Sequence, residues 1–575
     1  MSKQGNILVA FDGLSADISE GYDEVLTSDK LRKFIEPGSI YEASAFAEEL
    51  SRLILPDGTR LTKSFIYKDY ELWWMHYNNL FLYFCLPYTQ YKKLLEYLKT
   101  FDTVHFYKTP YKSLFSCFLK AYGVKTVMLK KSDLKSPSFL PFGILMQIMI
   151  TLLSLPILAI RKPHFMIFVG DKFEAGQDYD FRMKFIYREL RERSMSFVEI
   201  IRSLESWKKV LKHAFVVRKR PVIYSEAVTY LGRFLNFLFG GFYRSKYQFN
   251  PHLFTEQPVE TRFKLLVATY YLQNVYDDIW TIRILKLILN IINIKGAYIT
   301  ATLERNFPTF IACKLNNIPT VGILHGVASL YYNVYDFLPG FDGEKSLSVD
   351  KYGLWSEWWK EYYLKNSKVY LPEQLYVSGP MRPLERNTKE SVDSSITNSG
   401  PIKVLFISEQ LAVPEEVMPY LNALMSDKNI SVYLTFRPYR DGFENWLREH
   451  YPLILNKFEE ERIIRTGIKD AIAVCDVATG TMSTAVIETL FQYKVPILFY
   501  TKKWGDYFNL REYDNGSFFA ENTEELVDKI RKATNVSVER IKNLQKRYFG
   551  DPYQNGSKWV VDQLEDALLK GCMTK

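Results

Sequence analysis

A short polar turn in the last third of the chain has the residue types that bind a nucleotide. Residues 476–500 read DVATGTMSTAVIETLFQYKVPILFY, in which a glycine-containing turn leads into a predicted helix and then into an apolar strand. The free backbone N–H groups at a helix start favour an anion, and hydroxyl groups there can donate further hydrogen bonds to phosphate. The candidate residues for this role are Thr479, Gly480, Thr481, Ser483 and Thr484.

The predicted helix also carries one carboxylate near its start. Glu488 lies four residues after Thr484, where it can accept hydrogen bonds from ribose hydroxyls. The alternative is an ordinary helix cap, because Ser and Thr are common N-cap residues. A cap needs one hydroxyl, whereas this turn has four, and we therefore favour the binding of a nucleotide donor.

This stretch resembles the donor-binding segment of GT-B enzymes, which include UDP-GlcNAc 2-epimerases, CDP-glycerol glycerophosphotransferases and bacterial sialyl- and polysialyltransferases. Upstream, YLTFRPYRDG at 433–442 is similar to the strand-end His-Pro motif of the last two groups, with Arg437 in place of the histidine. The resemblance implies that Arg437 and Arg440 contact donor phosphate, which a guanidinium can bind in a bidentate manner. A guanidinium does not donate a proton at neutral pH, and the alternative role of Arg437 is a surface salt bridge.

A second stretch, TLERNFPTFIACKLNNIPTVGILHGVAS at 302–329, resembles a pattern of surface-carbohydrate transferases in which His-Gly follows a strand. The resemblance implies that His325 stands at the rim of the cleft as a general base or a phosphate ligand. Glu304 follows the preceding predicted strand and could face His325. A purely structural histidine is the alternative.

Two shorter matches have weaker patterns. Asp12 and the glycine after it directly follow the first predicted strand, and an acidic residue beside glycine is the base in several inverting GT-B sialyltransferases. An ordinary turn or helix start is the alternative. The stretch VSGPMRP is similar to V-x-G-x-x-R of surface-carbohydrate transferases, so Arg382 could neutralise donor phosphate or lie along an interdomain hinge.

Strands and helices alternate along most of the chain, which predicts parallel sheets. NILVAF at 6–11 predicts an opening strand, 89–129 contain two helix–strand pairs, and the alternation returns from residue 297. Residues 180–218 are strongly charged and predict a long helix. In the last third, a closing helix is predicted around 553–570. The strand candidates there are 402–409, 430–438, 462–467, 471–480 and 495–500.

The predicted fold class is therefore α/β, with two Rossmann-like domains facing each other across a cleft, as in GT-B glycosyltransferases. The predicted units are an N-terminal acceptor-side domain at 1–385, a polar linker at 386–400 and a C-terminal nucleotide-sugar-binding domain at 401–575.

One apolar stretch breaks the alternation. Residues 139–160 contain no charged residue and have basic flanks. About 20 apolar residues can span a bilayer, but two prolines and a glycine lie inside the stretch and the basic flanks signal no orientation. We predict an in-plane or re-entrant helix pair as a membrane-contact insertion at about 136–162, with a buried hairpin as the alternative. Residues 231–247 predict either a second membrane surface or a helix and turn packed on the core.

Composition and absent motifs narrow the function. The formal net charge of +9 favours anionic partners such as nucleotides or acidic lipid, while no nucleic-acid-binding motif is found. The five cysteines lack CxxC spacing, and the first 30 residues lack a signal-peptide pattern, which predicts a cytosolic location without structural zinc. No DxD setting, P-loop or HExxH motif is found, and we predict no metal and no cofactor beyond a nucleotide-sugar substrate.

The resemblance implies a metal-independent, inverting glycosyltransferase on the inner face of the cell membrane, where it is peripheral or monotopic. It would move a sugar from a nucleotide-sugar to a lipid-linked or growing surface glycan such as a capsule. The alternatives are a CDP-alcohol phosphotransferase of teichoic-acid type, a nucleotide-sugar epimerase, and a non-catalytic GT-B-like scaffold in polysaccharide assembly.

Overall fold

Parallel sheets organise the described part of the chain. Four of the predicted site residues, Asp12, Glu304, Arg437 and Arg440, lie outside the described residues. The computed structural model describes residues 4–11, 21–130, 141–170, 177–180, 183–203, 205–240, 257–273, 275–299, 307–332, 334–343, 347–384, 400–408, 413–436, 442–458 and 462–573.

The N-terminal unit is a four-stranded parallel sheet in the order β2-β1-β5-β6. Its strands are β1 (Gln4–Ala10), β2 (Glu24–Leu26), β5 (Phe101–Tyr107) and β6 (Lys125–Lys130), and β3 (Ile66–Tyr67) and β4 (Tyr70–Glu71) form a separate hairpin. The helices are α1 (Ser28–Leu31), α2 (Ile40–Ser51), α3 (Tyr77–Leu80), α4 (Leu86–Leu98) and α5 (Lys112–Ala121). Helix α5 buries Leu114, Phe115 and Phe118, a spacing that places one apolar face on the sheet.

A seven-stranded parallel sheet follows, in the order β13-β12-β11-β10-β7-β8-β9. Its strands are β7 (Phe165–Gly170), β8 (Phe197–Arg202), β9 (Val222–Tyr224), β10 (Gly296–Ile299), β11 (Thr320–Ile323), β12 (Lys351–Leu354) and β13 (Leu375–Val377). Every residue of β10 and β11 is buried, as expected for strands covered by helices on both faces. Counted along the chain, the strand order is that of a doubly wound Rossmann sheet.

Helices cover both faces of this sheet. The helices of this part of the chain are α6 (Pro141–Arg161), α7 (Lys184–Glu192), α8 (Trp207–Leu211), α9 (Ser225–Phe239), α10 (Val259–Leu272), α11 (Val275–Ile292), α12 (Phe307–Leu315), α13 (Val334–Phe337) and α14 (Glu357–Asn366). Of these, α10 packs on α5 and α13 on α3, both in the N-terminal unit. A π-helical segment, Lys212–Arg218, continues α8.

The C-terminal unit is a six-stranded parallel sheet in the order β16-β15-β14-β17-β18-β19, which is again the Rossmann order. Its strands are β14 (Ile402–Ile407), β15 (Ile430–Thr435), β16 (Ile463–Ile464), β17 (Val477–Gly480), β18 (Val495–Phe499) and β19 (Phe519–Ala520). The helices are α15 (Pro414–Ser426), α16 (Gly442–His450), α17 (Pro452–Lys457), α18 (Ile468–Ala473), α19 (Thr484–Glu488), α20 (Thr523–Lys532) and α21 (Val538–Phe549).

The last helix, α22 (Gly556–Met573), returns to the seven-stranded sheet. Its Val560, Val561 and Leu564 are buried in one core with Phe165 and Tyr298. The chain therefore crosses between the two Rossmann-like domains twice, and residues 4–377 supply two separate parallel sheets besides the β3–β4 hairpin. The predicted α/β class with two Rossmann-like domains is confirmed, and the domain boundaries at 385 and 401 stay predictions.

The long helix predicted at 180–218 is wrong. This segment contains α7, strand β8, and α8 with its π-helical continuation. Glu199, in the middle of β8, has a fully buried side chain and accepts a hydrogen bond from Arg220 Nε at 2.8 Å, with Arg218 Nε 3.5 Å away. Because these opposite charges pair inside the domain, the charged sequence is compatible with a buried strand.

Other differences concern the C-terminal sheet. Within the predicted strand 471–480, only β17 is extended, because α18 runs to Ala473 before it. The two-residue strand β19 was not predicted from the sequence, since so short an element has no measurable period.

The apolar stretch 139–160 is neither a helix pair nor a hairpin. Residues 141–161 form the single helix α6, which lies against β9, the edge strand of the seven-stranded sheet. The Tyr224 N–H donates to Thr151 Oγ1 at 3.0 Å, and the Val222 N–H donates to Ser154 Oγ at 3.2 Å. Two hydroxyls of α6 thus bind free donors of the strand, and the helix covers the sheet edge.

Among the described residues, one helix, Phe142–Arg161, is long and apolar enough to cross a membrane, with a mean hydropathy of 2.2 and 39% of its residues buried. Helix α9 fits the predicted helix in 231–247, with Ala227, Val228, Gly232 and Asn236 buried, while 241–247 lie outside the described residues.

Replacing Thr151 by Val should expose the edge strand. The side chain keeps its shape but leaves the buried Tyr224 N–H without its acceptor, which costs about 1–3 kcal/mol of local stability. Hydrogen exchange read by mass spectrometry on the peptide containing β9 should accelerate roughly 5- to 100-fold. Ser206→Ala, whose side chain makes no cap hydrogen bond at α8, is the control and should change nothing there. Equal exchange in both variants would contradict the edge-covering role.

Candidate active site

The donor turn lies at the topological switch point of the six-stranded sheet. Strands β14 and β17 are neighbours there, and the chain leaves them in opposite lateral directions. Ligands of open parallel sheets bind at this point, beyond the carboxyl ends of the strands. A small cavity between these ends is lined by Phe406, Ile407, Ser408, Val417, Phe443, Gly480, Thr481 and Phe499.

Gly480 lies where β17 packs closely against β14 and α19. A Cβ atom there would lie 2.8 Å from Val486 Cγ2 and 3.1 Å from the Ile407 carbonyl oxygen. Both distances are shorter than ordinary van der Waals contact, so a side chain at this position would push against β14 and α19. The missing side chain of Gly480 thus lets β17 pack closely against β14 and α19.

The first two hydroxyls of the turn lie below the surface. Thr479 is fully buried within β17, and Thr481 is 5% exposed beside the small cavity. Within the described structure, neither side-chain oxygen has a hydrogen-bond partner. A buried unpaired hydroxyl costs free energy, and Thr481 is the one of the two that lines the cavity.

The next two hydroxyls have structural partners. Ser483 is the N-cap of α19, and its Oγ accepts a hydrogen bond from the Ala485 N–H at 3.3 Å. The capping alternative is therefore correct for Ser483. Thr484 Oγ1 accepts a hydrogen bond from the Val327 N–H at 3.4 Å. Val327 belongs to the seven-stranded domain, so this hydroxyl links the two domains.

The loop that carries His325 is held from both sides. It follows β11, and the Leu324 carbonyl accepts a hydrogen bond from Trp355 Nε1 at 2.5 Å. Two residues beyond His325, the Val327 carbonyl accepts a hydrogen bond from Tyr507 Oη of the six-stranded domain at 3.5 Å. The imidazole is partly exposed, which fits a residue at the rim of a cleft.

The carboxyl edges of the two Rossmann-like sheets therefore face each other, as predicted. His325–Val327 follow β11, and Thr484 follows β17 after a short turn. Across the same junction, Arg382 donates from Nη2 to Glu488 Oε1 at 2.9 Å. With side chains 40% and 22% exposed, this ion pair contributes about 0–1 kcal/mol.

The N-terminal unit contacts both domains near this junction. The Ile40 N–H donates to the Lys503 carbonyl at 3.0 Å, and the Asp506 N–H donates to Tyr41 Oη at 3.1 Å. On the other side, the Tyr41 ring lies 4.4 Å from the Tyr331 ring between centroids. The unit thus bridges the two Rossmann-like domains.

The topology constrains the site residues that lie outside the described ranges. Arg437 and Arg440 follow β15, the neighbour of β14, and Glu304 follows β10, the neighbour of β11. Strands β15 and β10, which precede them, end at the carboxyl edges that face each other. Asp12 follows β1, which belongs to the separate four-stranded sheet. Their roles stay predictions.

A thiol lies close to the donor turn. Burial raises the pKa of the Cys475 thiol, just before the donor strand, to about 12, so it stays neutral at physiological pH. Among the described residues, no group of three or more His, Cys, Asp or Glu is placed to hold a metal ion.

Sequence reasoning missed two residues of the junction and underrated a third. Ser408 at the end of β14 and Tyr507 beside Val327 reach the site only through strand order and domain contact. Arg382 was recognised in the VSGPMRP stretch, but its partner Glu488 could not be inferred. For Ser408, the one available sequence signal is its position as a serine at the end of a predicted strand.

No protein-family model matches this chain, and no curated protein matches it significantly. Anabaena HepE in complex with UDP and glucose is similar at 12% identity, with 70% of this chain and 100% of that chain covered and a TM-score of 0.38. UDP-GlcNAc 2-epimerase from Methanocaldococcus jannaschii, in complex with UDP-GlcNAc and UDP, is similar at 10% identity, with 70% of this chain and 99% of that chain covered and a TM-score of 0.40. Acinetobacter baumannii MurG is similar at 10% identity, with 70% of this chain and 100% of that chain covered and a TM-score of 0.35. Likenesses this distant assign no activity to this chain.

Alanine at Gly480 should lower the stability of the protein, whereas alanine at Gly326 should leave it unchanged. Gly480→Ala forces β14, β17 and α19 apart and should destabilise the protein by about 1–3 kcal/mol. Gly326→Ala is the matched control, because its Cβ would meet nothing closer than Thr484 Oγ1 at 3.6 Å. Thermal and urea unfolding of both variants measures the difference. A Gly480→Ala variant as stable as the control would contradict the packing described for this turn.

Proposed function

We propose that this chain is a metal-independent glycosyltransferase that moves a sugar from a nucleotide-sugar to an acceptor hydroxyl. The observation that carries the proposal is the contact between Val327 and Thr484, which joins the carboxyl edges of two Rossmann-type sheets. Each edge is where an open parallel sheet binds its ligand. Facing edges therefore bring a donor site and an acceptor site together.

The donor belongs on the six-stranded domain. Its phosphates would approach the turn after β17, where Thr481 has a buried hydroxyl without a partner among the described residues. Arg437 and Arg440 would neutralise phosphate charge, since their segment follows the neighbouring strand β15. Glu488 would accept the ribose hydroxyls, after exchange of its ion pair with Arg382.

Helix α19 itself contributes little to anion binding. It has five residues and continues as a short 3-10 segment, so its dipole is small. The binding of phosphate must then rest on hydroxyls, backbone N–H groups and arginines, which is consistent with the composition of the turn.

The acceptor would enter beside the His325 loop. A groove of about 550 Å³ begins five residues further along the chain, between α2 and residues 330–342. Tyr331, 37% exposed, offers an aromatic face on which a sugar ring can stack. Charged and amide side chains of the groove can bind sugar hydroxyls; they are Glu48, Arg52, Arg60, Asp342, Asn366 and Lys368.

The reaction needs one base and one stabilised leaving group. His325 would take the proton of the acceptor hydroxyl, whose oxygen then attacks the anomeric carbon. The anomeric C–O bond to the nucleotide phosphate breaks, and the phosphate leaves with the electron pair. Glu304 and Asp12 are the other candidate bases. His325 is preferred because its loop lies at the junction of the two domains.

We further propose that the acceptor is a lipid-linked or growing surface glycan. The protein would then work at the inner face of the cell membrane, as a peripheral or monotopic protein. The exposed apolar side chains of α6 and α9 support this location.

Nucleotide binding is the first test. Thermal unfolding is measured with CMP, CDP, UDP, GDP and their sugar conjugates. One of them should stabilise the protein by about 2–3 kcal/mol at 100-fold excess over Kd. The variant Glu488→Ala should bind the same nucleotide with an affinity at least about tenfold lower. Stabilisation by CDP-alcohols alone would instead indicate a phosphotransferase. No stabilisation by any nucleotide would overturn the proposal and favour a scaffold.

Two matched variants sharpen this test. Arg382→Ala breaks the same ion pair as Glu488→Ala but keeps the carboxylate, so it should retain most of the affinity. Glu524→Ala, in the first turn of α20, removes an unrelated acidic side chain of the same domain. Equal losses in Glu488→Ala and Arg382→Ala would show that the ion pair, rather than a ribose contact, governs binding.

The base is tested by turnover of the nucleotide-sugar that binds. His325→Gln should lower kcat about 10²- to 10⁴-fold, measured as nucleotide release with membrane glycolipid extract as acceptor. Donor affinity should stay unchanged, because the side chain acts on the acceptor. His450→Gln, on exposed α16, is the control. Unchanged kcat in His325→Gln would exclude this residue as the base and direct the test to Glu304 and Asp12.

A further inference from the structure

Helix α6 has one face inside the protein and one large apolar face outside it. Its buried positions are Ile144, Gln147, Ile150, Thr151, Ser154 and Leu158. Its exposed positions are Phe142, Leu145, Met149, Leu152, Leu153, Ile157 and Ile160, and Ile160 is 83% exposed. The exposed positions fall at helical spacing on one side, opposite the buried ones. Helix α6 therefore presents a continuous apolar stripe to the outside.

Neighbouring elements extend this stripe at the same end of the sheet. Helix α6 packs on β9, α8, α9 and α11. All of these elements surround the β9 edge of the sheet, so their exposed side chains belong to one end of the domain. The large exposed apolar residues they add are Trp207, Phe215, Val216, Phe234, Phe237, Leu238, Phe239, Leu287 and Ile291. We name this end, with the α6 stripe, the edge-helix surface.

The edge-helix surface is basic around its apolar centre. Without Arg218 and Arg220, which pair with the buried Glu199, the segments 141–170, 205–240 and 275–293 contain nine Lys or Arg and four Asp or Glu. Of the four acidic side chains, those of Glu226, Asp277 and Asp278 are 13%, 23% and 15% exposed and lie near Arg202, Arg233 and His76, respectively. Exposed basic residues lie at both ends of α6; they are Lys208, Lys209, Arg161 and Lys162.

Helix α6 is fixed to the domain and does not leave it as a span. Gln147 is fully buried, and its Nε2 donates to the Ser203 carbonyl at 3.2 Å. With the two hydroxyls that bind β9, this makes three polar side chains on the inner face. In hydrocarbon these groups would lose their partners at a high cost. The helix can therefore lie along a bilayer and keep its place on the sheet.

We propose that the edge-helix surface binds the face of an anionic lipid bilayer, with α6 lying in the membrane plane and its apolar stripe among the acyl chains. Basic residues around an apolar helix face are the chemistry of a monotopic membrane surface. The inference rests on the membrane location in the proposed function and names the surface responsible.

The same charge argues against a second copy of this chain as the occupant. A symmetric dimer through this surface would place the same patch on both subunits. Basic residues would then face basic residues, which repel. An anionic bilayer supplies the opposite charge and an apolar interior together.

Vesicle flotation of the full chain tests the proposal. The chain should float with vesicles of phosphatidylcholine and phosphatidylglycerol, and less with phosphatidylcholine alone. The combined variant Leu153→Ser, Ile160→Ser and Phe237→Ser should reduce the bound fraction at least about tenfold. All three side chains are more than half exposed, so the fold should persist. Lys208→Glu with Arg161→Glu should weaken binding to the anionic vesicles in particular.

The matched control is Ile54→Ser, Leu453→Ser and Leu569→Ser, which removes apolar side chains elsewhere that are also more than half exposed. It should float like the unaltered chain. Nucleotide stabilisation is measured on all variants, so that loss of membrane binding and loss of donor binding are distinguished. The proposal is overturned if the unaltered chain does not float or if both combined variants float equally. It is also overturned if the first variant only converts a dimer into a monomer by light scattering.

Discussion

The contact between the two carboxyl edges is the constraint on which the candidate site depends. One hydrogen bond, from the Val327 N–H to Thr484 Oγ1, joins the loop after β11 to the helix after β17. The Arg382–Glu488 ion pair crosses the same junction. Neither interaction is strong by itself, since a single hydrogen bond contributes about 1 kcal/mol. Their importance is geometric, because they hold the carboxyl ends of two sheets close together. A donor at one sheet edge and an acceptor at the other can then meet.

Stronger packing around the junction holds these weak contacts in place. The His325 loop is fixed by Trp355 on one side and by Tyr507 on the other. The last helix completes the core of the first Rossmann-like domain with Val560 and Leu564, so the two domains cannot separate fully. The N-terminal four-stranded unit adds a third body that contacts both. An ion pair at the junction can then exchange partners without loss of the overall arrangement.

Buried polar side chains of the seven-stranded domain determine which residues of α6 face outward. Thr151 and Ser154 bind the free N–H groups of β9 and thereby hold α6 along the sheet edge. The same orientation turns the apolar residues of α6 outward, away from the sheet. Glu199 shows the converse case, in which a charged residue enters a strand because two arginines accompany it. In both cases pairing, rather than hydrophobicity alone, decides which residues face inward.

The sequence by itself determined the alternation of strands and helices, the α/β class and the position of the hydroxyl-rich turn after a strand, because local periodicity and turn chemistry encode these features. Helix capping was the alternative for this turn, and the structure assigns it to Ser483. Tertiary structure alone decided that β1 and β10 belong to different sheets, that Glu488 pairs with Arg382, and that 141–161 form one helix on an edge strand. The β8 strand was hidden because Glu199 is neutralised by residues about 20 positions away. Strand partners and ion-pair partners are distant in sequence, and a local pattern contains no information on which distant segment will satisfy them.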